Sequence, residues 1–348
     1  MSLVVTRLNG GLGNQLFQYA AGRALALRYG ATLKLDLRVF PHYPLRRYEL
    51  DKYPIQAMIA TDGELRAFGD GATSPRPGCT RYHEPHFHFD PEVYGAAPPV
   101  QLIGYWQSER YFQHISDLIR REFTPVDPLD AENEQALANI LHSTAIAVHV
   151  RRGDYVSNPV IAARHGAPSL GYYRRAMDYV ASRVSDPVFY LFSDDPDWAC
   201  SNVHYPAPIV PMTINAPDRG FRDMQLMSAC KHFILANSSF SWWGAWMNEA
   251  SDKIVVAPTP WFLNKDLDTR DLLPAGWIAM PAYDQRPPRQ VMRLESNSQR
   301  RLPAHNGQRS RWRHVWIGSR IVGSISKLIR RSAFSSRCIR CLRFFLSE

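Results

Sequence analysis

Cysteine is scarce in this chain, with five in 348 residues. Cys79, Cys200 and Cys230 stand alone, and Cys338 and Cys341 form a C-x-x-C with no second pair. That spacing does not make a zinc site, and no metal is expected. The odd number suits a reducing compartment. Long apolar runs are also missing: none approaches the ~18 residues of a membrane span. The first residues, Met1–Arg7, have no basic stretch leading into a long apolar one. They read as a first β-strand rather than a secretory signal, so a cytoplasmic location is expected. Acidic residues are nearly absent from the end of the chain. From Arg286 onward fifteen Lys and Arg face only Glu295 and Glu348, a surplus of +13 that leaves the preceding 285 residues at −4 of the total +9. A near-neutral body with a basic tail is the expectation, and nucleic acid is not an expected partner.

What remains is ample for a core: 45% of residues are hydrophobic and 12% aromatic. The pattern alternates strand and helix. Leu3–Leu8 reads as a strand, Leu16–Tyr29 as a helix stopping at Gly30, and Thr32–Leu37 as a second strand. The Gly-, Pro- and His-rich stretch 69–99 reads as an irregular excursion with short strands. Val100–Tyr105 is strand-like and Ser108–Arg121 helical. Pro125–Leu129 reads as a linker. Beyond it, helices over 131–142, 170–185, 223–229 and 239–250 alternate with strands over 145–150, 188–192, 232–236 and 253–257, the last of these closing the sheet. The expected class is α/β with parallel sheets: an N-terminal domain over 1–128, a doubly wound domain over 129–285, and a basic linker and tail over 286–348. In the tail, Arg313–Ile329 has apolar residues on one helical face and basic ones off it, which suits an anionic membrane surface. A basic tail that binds nothing particular is the alternative.

Several strand ends carry chemistry. The apolar run Thr144–Val150 feeds into Arg151-Arg152-Gly153-Asp154, with His149 just before. In α/β folds ligands bind outside the carboxyl ends of strands. A guanidinium fixed there is a fork for phosphate oxygens. Neighbours on a strand point to opposite sides, so at most one of the two arginines enters a cleft and the other is structural. A surface pair between arginine and Asp154 is the plain alternative. The turn Asn9-Gly10-Gly11-Leu12-Gly13-Asn14-Gln15 follows the first strand. Gly11 and Gly13 could let backbone N–H groups approach an anion, or only permit a tight turn. The third glycine of a dinucleotide fingerprint and the Gly-Lys-Ser/Thr of a P-loop are both missing.

Asp194 and Asp195 end a strand and could bond a ribose or base, bind a metal, or cap the helix that Pro196 opens. Asp223 starts a helix, as a cap or as an acceptor for guanine N–H groups. Ser238 and Ser239 put hydroxyl donors where a helix N-terminus favours an anion. The tryptophans that follow, Trp242, Trp243 and Trp246, could stack on a sugar, with core packing the default. Recurrence of such residues at several strand ends of one chain indicates a nucleotide-sugar site.

Taken together, Gly10–Ala20, His149–Tyr155, Phe192–Asp195 and Asp223–Trp246 resemble the bacterial α-1,2-fucosyltransferases, over roughly three quarters of the chain. The His-x-Arg-Arg piece is shared with α-1,6- and protein O-fucosyltransferases, and the tail lies outside the resemblance. The resemblance implies a GT-B-like fold of two Rossmann-like domains facing across a cleft, with the acceptor on the N-terminal side. It implies GDP-β-L-fucose as donor, a galactose-containing glycan as acceptor, inversion at the anomeric carbon, and no metal or cofactor. Arg151 then matches the arginine holding the pyrophosphate, and Asn14 the amide near the β-phosphate and acceptor hydroxyl. His149 and Asp223 match positions near guanine and ribose, and Ser238 and Ser239 lie in the phosphate-contacting segment. For the general base, Asp36, Asp154 and Glu109 are candidates. The competing readings are a fucosyltransferase of α-1,6 or α-1,3 linkage and a non-catalytic nucleotide-sugar or glycan-binding protein.

Overall fold

The first strand, β1 (Leu3–Arg7), is buried at its centre and pairs in parallel with β2 (Thr32–Asp36). Helix α1 (Leu12–Arg28) joins them and begins four residues before the apolar spacing predicts. Leu12, Gly13, Gln15 and Leu16 are all buried, so the first turn is packed rather than open. Then come β3 (Met58–Ile59), α2 (Asp62–Ala67), β4 (Thr80–His83) and β5 (Val100–Ile103). These strands form one parallel sheet in the order β3-β2-β1-β5-β4. The single helix expected over Ser108–Arg121 is instead two 3-10 turns followed by α3 (Ser116–Glu122). Tyr111 and Phe112 are both buried. The backbone leaves the α-helical region at Phe112, with φ −140°, and again at Ile115, with φ −124°, and these two departures break the run.

A computed structural model describes residues 2–42, 46–69 and 73–284 of this chain. The basic tail from Arg286, the amphipathic helix read over Arg313–Ile329 and the C-x-x-C pair lie outside the described residues. The described part belongs to one compact unit, Met1–Pro288.

After α4 (Ala131–Leu141), capped by Asp130, the second sheet begins at β6 (Thr144–Val150). It is buried almost throughout, as a central parallel strand covered on both faces must be. Two short helices absent from the sequence reading, α5 (Gly153–Ser157) and α6 (Pro159–His165), precede α7 (Leu170–Ala181). The chain continues through β7 (Pro187–Ser193), α8 (Pro196–Asn202), β8 (Ile209–Pro211), α9 (Gly220–Ser228) and β9 (His232–Ile234). It ends with α10 (Ser239–Met247), β10 (Val255–Thr259) and β11 (Ile278–Pro281). All six strands are parallel, in the order β11-β10-β9-β6-β7-β8. The strand expected to close the sheet is therefore β10, with β11 outside it. β8 and β11 are short, partly exposed edges with too few residues to show a period.

This is the α/β, GT-B-like arrangement the resemblance implies, with two Rossmann-like parallel sheets in succession. Each has a point where strand order reverses. In the first sheet the chain builds β1, β2, β3 to one side and adds β5 and β4 on the other. In the second it builds β6, β7, β8 to one side and β9, β10, β11 to the other. The reversals fall between β1 and β5 and between β6 and β9, and such points are where open α/β sheets bind ligands.

The tryptophans after β9 settle into the core. Trp242 and Trp243 are fully buried, and Phe17 of α1 packs on them with ring centroids 4.5 and 4.8 Å away. Phe112 stacks on Trp243 at 5.3 Å. Helix α10 is thereby wedged against α1, which brings the carboxyl edges of the two sheets together.

Candidate active site

The two reversal points meet. Past β1, Gly10 takes a positive φ of 74°, which lets the chain turn directly into α1. Gly13 then lies against the backbone that opens α10. A Cβ there would stand 2.5 Å from the Ser239 carbonyl carbon and 2.6 Å from the Phe240 nitrogen. Trp243 Nε1 donates to the Gly13 carbonyl at 2.9 Å. Gly13 is a glycine because another backbone fills the space, so the turn is a docking surface for α10. Gly11 sits beneath the side chain of Arg46.

Asn14 is held at the junction. Its Oδ1 accepts from Ser239 Oγ at 2.8 Å and from Gln107 Nε2 at 2.9 Å. Asn14 and Gln107 follow β1 and β5 of the first sheet, and Ser239 follows β9 of the second. With the oxygen doubly engaged, the amide is fixed with Nδ2 as its donor. Gln107 is set by an unusual turn: Trp106 has a positive φ of 58°. The Glu84 carboxylate accepts from the backbone N–H groups of Tyr105 at 2.6 Å and Trp106 at 3.0 Å. Burial pushes Glu84 up to about 7. Backbone strain of this kind costs roughly 1–3 kcal/mol and persists where the surroundings over-determine it.

At the end of β6, Arg151 is ringed by carboxylates. Its guanidinium lies 2.6 Å from Asp154 and 3.1 Å from Asp194. The second contact follows from register. Val150 pairs with Ser193, so the next residues on the two strands, Arg151 and Asp194, leave the sheet side by side. Burial alone would lower the Arg151 pKa, but Asp194 and Asp154 outweigh it and the net direction is up. For Asp154 burial pushes up, yet Arg151 and Arg46 hold the carboxyl below its usual range. Arg152 turns away, as strand geometry requires: it pairs with Asp195 at 3.2 Å and stacks over Trp198 at 3.6 Å. Asp195 also caps α8 by accepting from the Trp198 N–H, and Asp194 accepts from the Arg152 N–H at 2.8 Å. Both aspartates have internal partners that fix the arginine turn and the helix after it.

Tyr155, from α5, ties this edge to α10. Its hydroxyl donates to the Asn237 carbonyl at 3.0 Å, and the Arg151 guanidinium lies 5.5 Å from its ring. Ser238 makes no side-chain cap bond to α10. His149 is buried beside Phe240, and burial, reinforced by Arg151, drives it down to about 3. It is therefore a neutral imidazole at working pH. Asp223 accepts from Asn215 Nδ2 at 2.8 Å, and burial raises it to about 6.

Two of the general-base candidates are occupied structurally. Asp36 is fully buried, held by Arg38 at 2.9 Å and by Gln101 at 2.8 Å. Glu109 accepts from Trp246 Nε1 at 3.0 Å. Among the described residues no group of three His, Cys, Asp or Glu side chains is placed to hold a metal. None of the helices among those residues is long and apolar enough to cross a membrane. Reading from sequence missed Gln107 and Arg46, because nothing in their spacing marks them and only the meeting of the two edges does; it included Tyr155 in the His149–Tyr155 stretch but gave it no role.

Residues 83–280 match the sequence profile of glycosyl transferase family 11. An α-1,2-colitosyltransferase of Escherichia coli is 38% identical over 80% of this chain and 99% of its own length. The O-antigen biosynthesis glycosyltransferase WbnK of Escherichia coli is 33% identical, covering 78% of this chain and 98% of that protein. Galactoside α-(1,2)-fucosyltransferase 1 of Rattus norvegicus is 30% identical over 43% of this chain and 42% of its own. The profile spans more than half of the sequence, and the residues lining the second sheet's reversal point fall inside it. The chain belongs to glycosyl transferase family 11.

Proposed function

We propose that this family 11 glycosyltransferase moves L-fucose from GDP-β-L-fucose to a galactose hydroxyl, forming an α-1,2 linkage with inversion, on a cell-surface glycan of the O-antigen kind. The observation that carries the reading is the meeting of both reversal points around one guanidinium, Arg151, and one oriented amide, Asn14. Departure of GDP puts negative charge on the diphosphate and positive charge on the sugar ring, an oxocarbenium-like transition state. Arg151 and the N-terminus of α10 would stabilise the leaving group electrostatically, which typically lowers a barrier by ~3 kcal/mol per donor, about a hundredfold in rate. In this reading protein cations supply what a metal would, and EDTA should not inhibit; strict dependence on added Mn²⁺ would count against it. Asp154 is a weak base in its present pairing, so bond breaking leads and the acceptor's proton leaves late.

A second donor is favoured by the 38% identity to a colitosyltransferase. Colitose is fucose without its 3-hydroxyl, so the same site could accept GDP-colitose. Incubation with each GDP-sugar and a panel of galactose-terminated acceptors, with NMR of the product, tests the proposal. An α-1,2-fucosyl product is expected. GDP binding without GDP release on any acceptor would make the chain a binding protein, and a different linkage would overturn the regiochemistry.

A further inference from the structure

Asp154 has two cationic partners, and they come from different halves of the chain. Its Oδ1 takes Arg151 at 2.6 Å. Its Oδ2 takes Arg46 at 2.5 Å. Arg46 lies far from β6 in sequence and belongs to the segment after β2. Its arrival is built rather than incidental. Gln15, fully buried in the first turn of α1, donates to the Arg47 carbonyl at 2.8 Å and accepts from the Glu49 N–H at 3.0 Å. The same Nε2 donates to the Gly10 carbonyl at 3.0 Å. One amide thus fastens the Arg46–Glu49 segment to the glycine turn. Arg47 Nη2 reaches across to the Asp218 carbonyl at 2.7 Å and pins the segment on its other side. The Arg46 side chain then crosses Gly11, where an added Cβ would stand 3.6 Å from its Cδ and Nε. The guanidinium ends on the carboxylate that Arg151 also holds. All three groups are partly buried, so their mutual attraction is less screened than at an open surface.

A carboxylate clasped by two guanidiniums has the charge and fork geometry that a diphosphate presents to two arginines. We propose that Arg46 is a second guanidinium of the donor's diphosphate site, contributed from the first half of the chain, and that Asp154 competes with the diphosphate for both arginines. The inference rests on the donor-site reading above. It also gives Gln15 of the Gly-x-Gly-Asn-Gln turn a role, since that amide anchors the Arg46 segment.

Calorimetric titration of the full chain with GDP and with guanosine tests this. Arg46→Ala should weaken GDP binding about tenfold to a hundredfold, as loss of a charge-assisted contact does, while guanosine binding stays the same. Arg46→Lys should recover part of the loss. Asp154→Asn should tighten GDP binding, because the internal competitor loses its charge. An equal loss of guanosine affinity in Arg46→Ala would make the segment a folding element and overturn the assignment. Weaker GDP binding in Asp154→Asn would overturn the competitor role. Loss of GDP binding in Arg151→Ala with none in Arg46→Ala removes Arg46 alone from the site. No loss in either removes the diphosphate site itself.

Discussion

The two carboxyl edges that form the site are built from different materials. The first sheet delivers amides: Asn14, Gln15 and Gln107, neutral groups whose donors and acceptors are largely spent on one another and on backbone. The second delivers ions: Arg151, Asp154 and Asp194, charges balanced within a few ångströms. Amide networks fix geometry and are costly to leave half-satisfied. Ion clusters store charge that an incoming anion can take over. Arg46 apart, a change at the first edge should therefore act mainly through fold and alignment, and a change at the second mainly through affinity and rate.

The largest effect should come from the charged edge. Arg151→Ala is expected to lower kcat/KM for the donor about a hundredfold or more while far-ultraviolet circular dichroism stays that of the parent. A parental rate would erase the contrast. At the neutral edge Gly13→Ala should cost about 3 kcal/mol in urea unfolding, because the backbone of Ser239 and Phe240 cannot move aside. Gly11→Ala, facing only a side chain at ordinary contact distance, should cost about 1 kcal/mol or less. Equal costs would show that the turn is not docked as described.

Smaller still, Ser239→Ala removes one of two donors on Asn14 and should slow turnover about tenfold with GDP affinity retained. A selective loss of GDP binding would instead make that hydroxyl a phosphate ligand. The weakest effect should be a pH dependence at Asp223. Burial raises its carboxyl from 3.8 to about 6, with Asn215 and Arg219 pulling the other way. The fold favours the protonated form, so this group's contribution to stability is complete below 3.8 and is lost as pH rises through about 6. A carboxylate that accepts guanine N–H groups must be ionised, so GDP affinity should rise over the same window. Titrations at pH 5 and pH 7.5 should differ severalfold in the parent and converge in Asp223→Asn; a pH-independent parent would take Asp223 out of the base site.

Much of this was legible in the chain. The alternation of strand and helix, the buried run before Arg151 and the separation of Arg151 from Arg152 follow from side-chain period and chain direction, which are local properties. The short pieces were not legible: α5, α6, β8 and β11 span too few residues to display a period. The Ser108–Arg121 segment misled because its spacing is helical while the backbone leaves the α-helical region at Phe112 and Ile115. Glycines in the first turn announced a special backbone, but not whether an anion or a helix lies against it.

Sequence alone determined that two parallel sheets would form and that a guanidinium would leave one of them at its carboxyl end, since apolar period and strand polarity are written into consecutive residues. Only tertiary structure decided that Ser239 and Gln107 would share the oxygen of Asn14, that α10 would fill the space at Gly13, and that Arg46 would reach Asp154. Those contacts join residues about ninety to more than two hundred positions apart, and no local preference encodes a meeting that packing between two sheets creates.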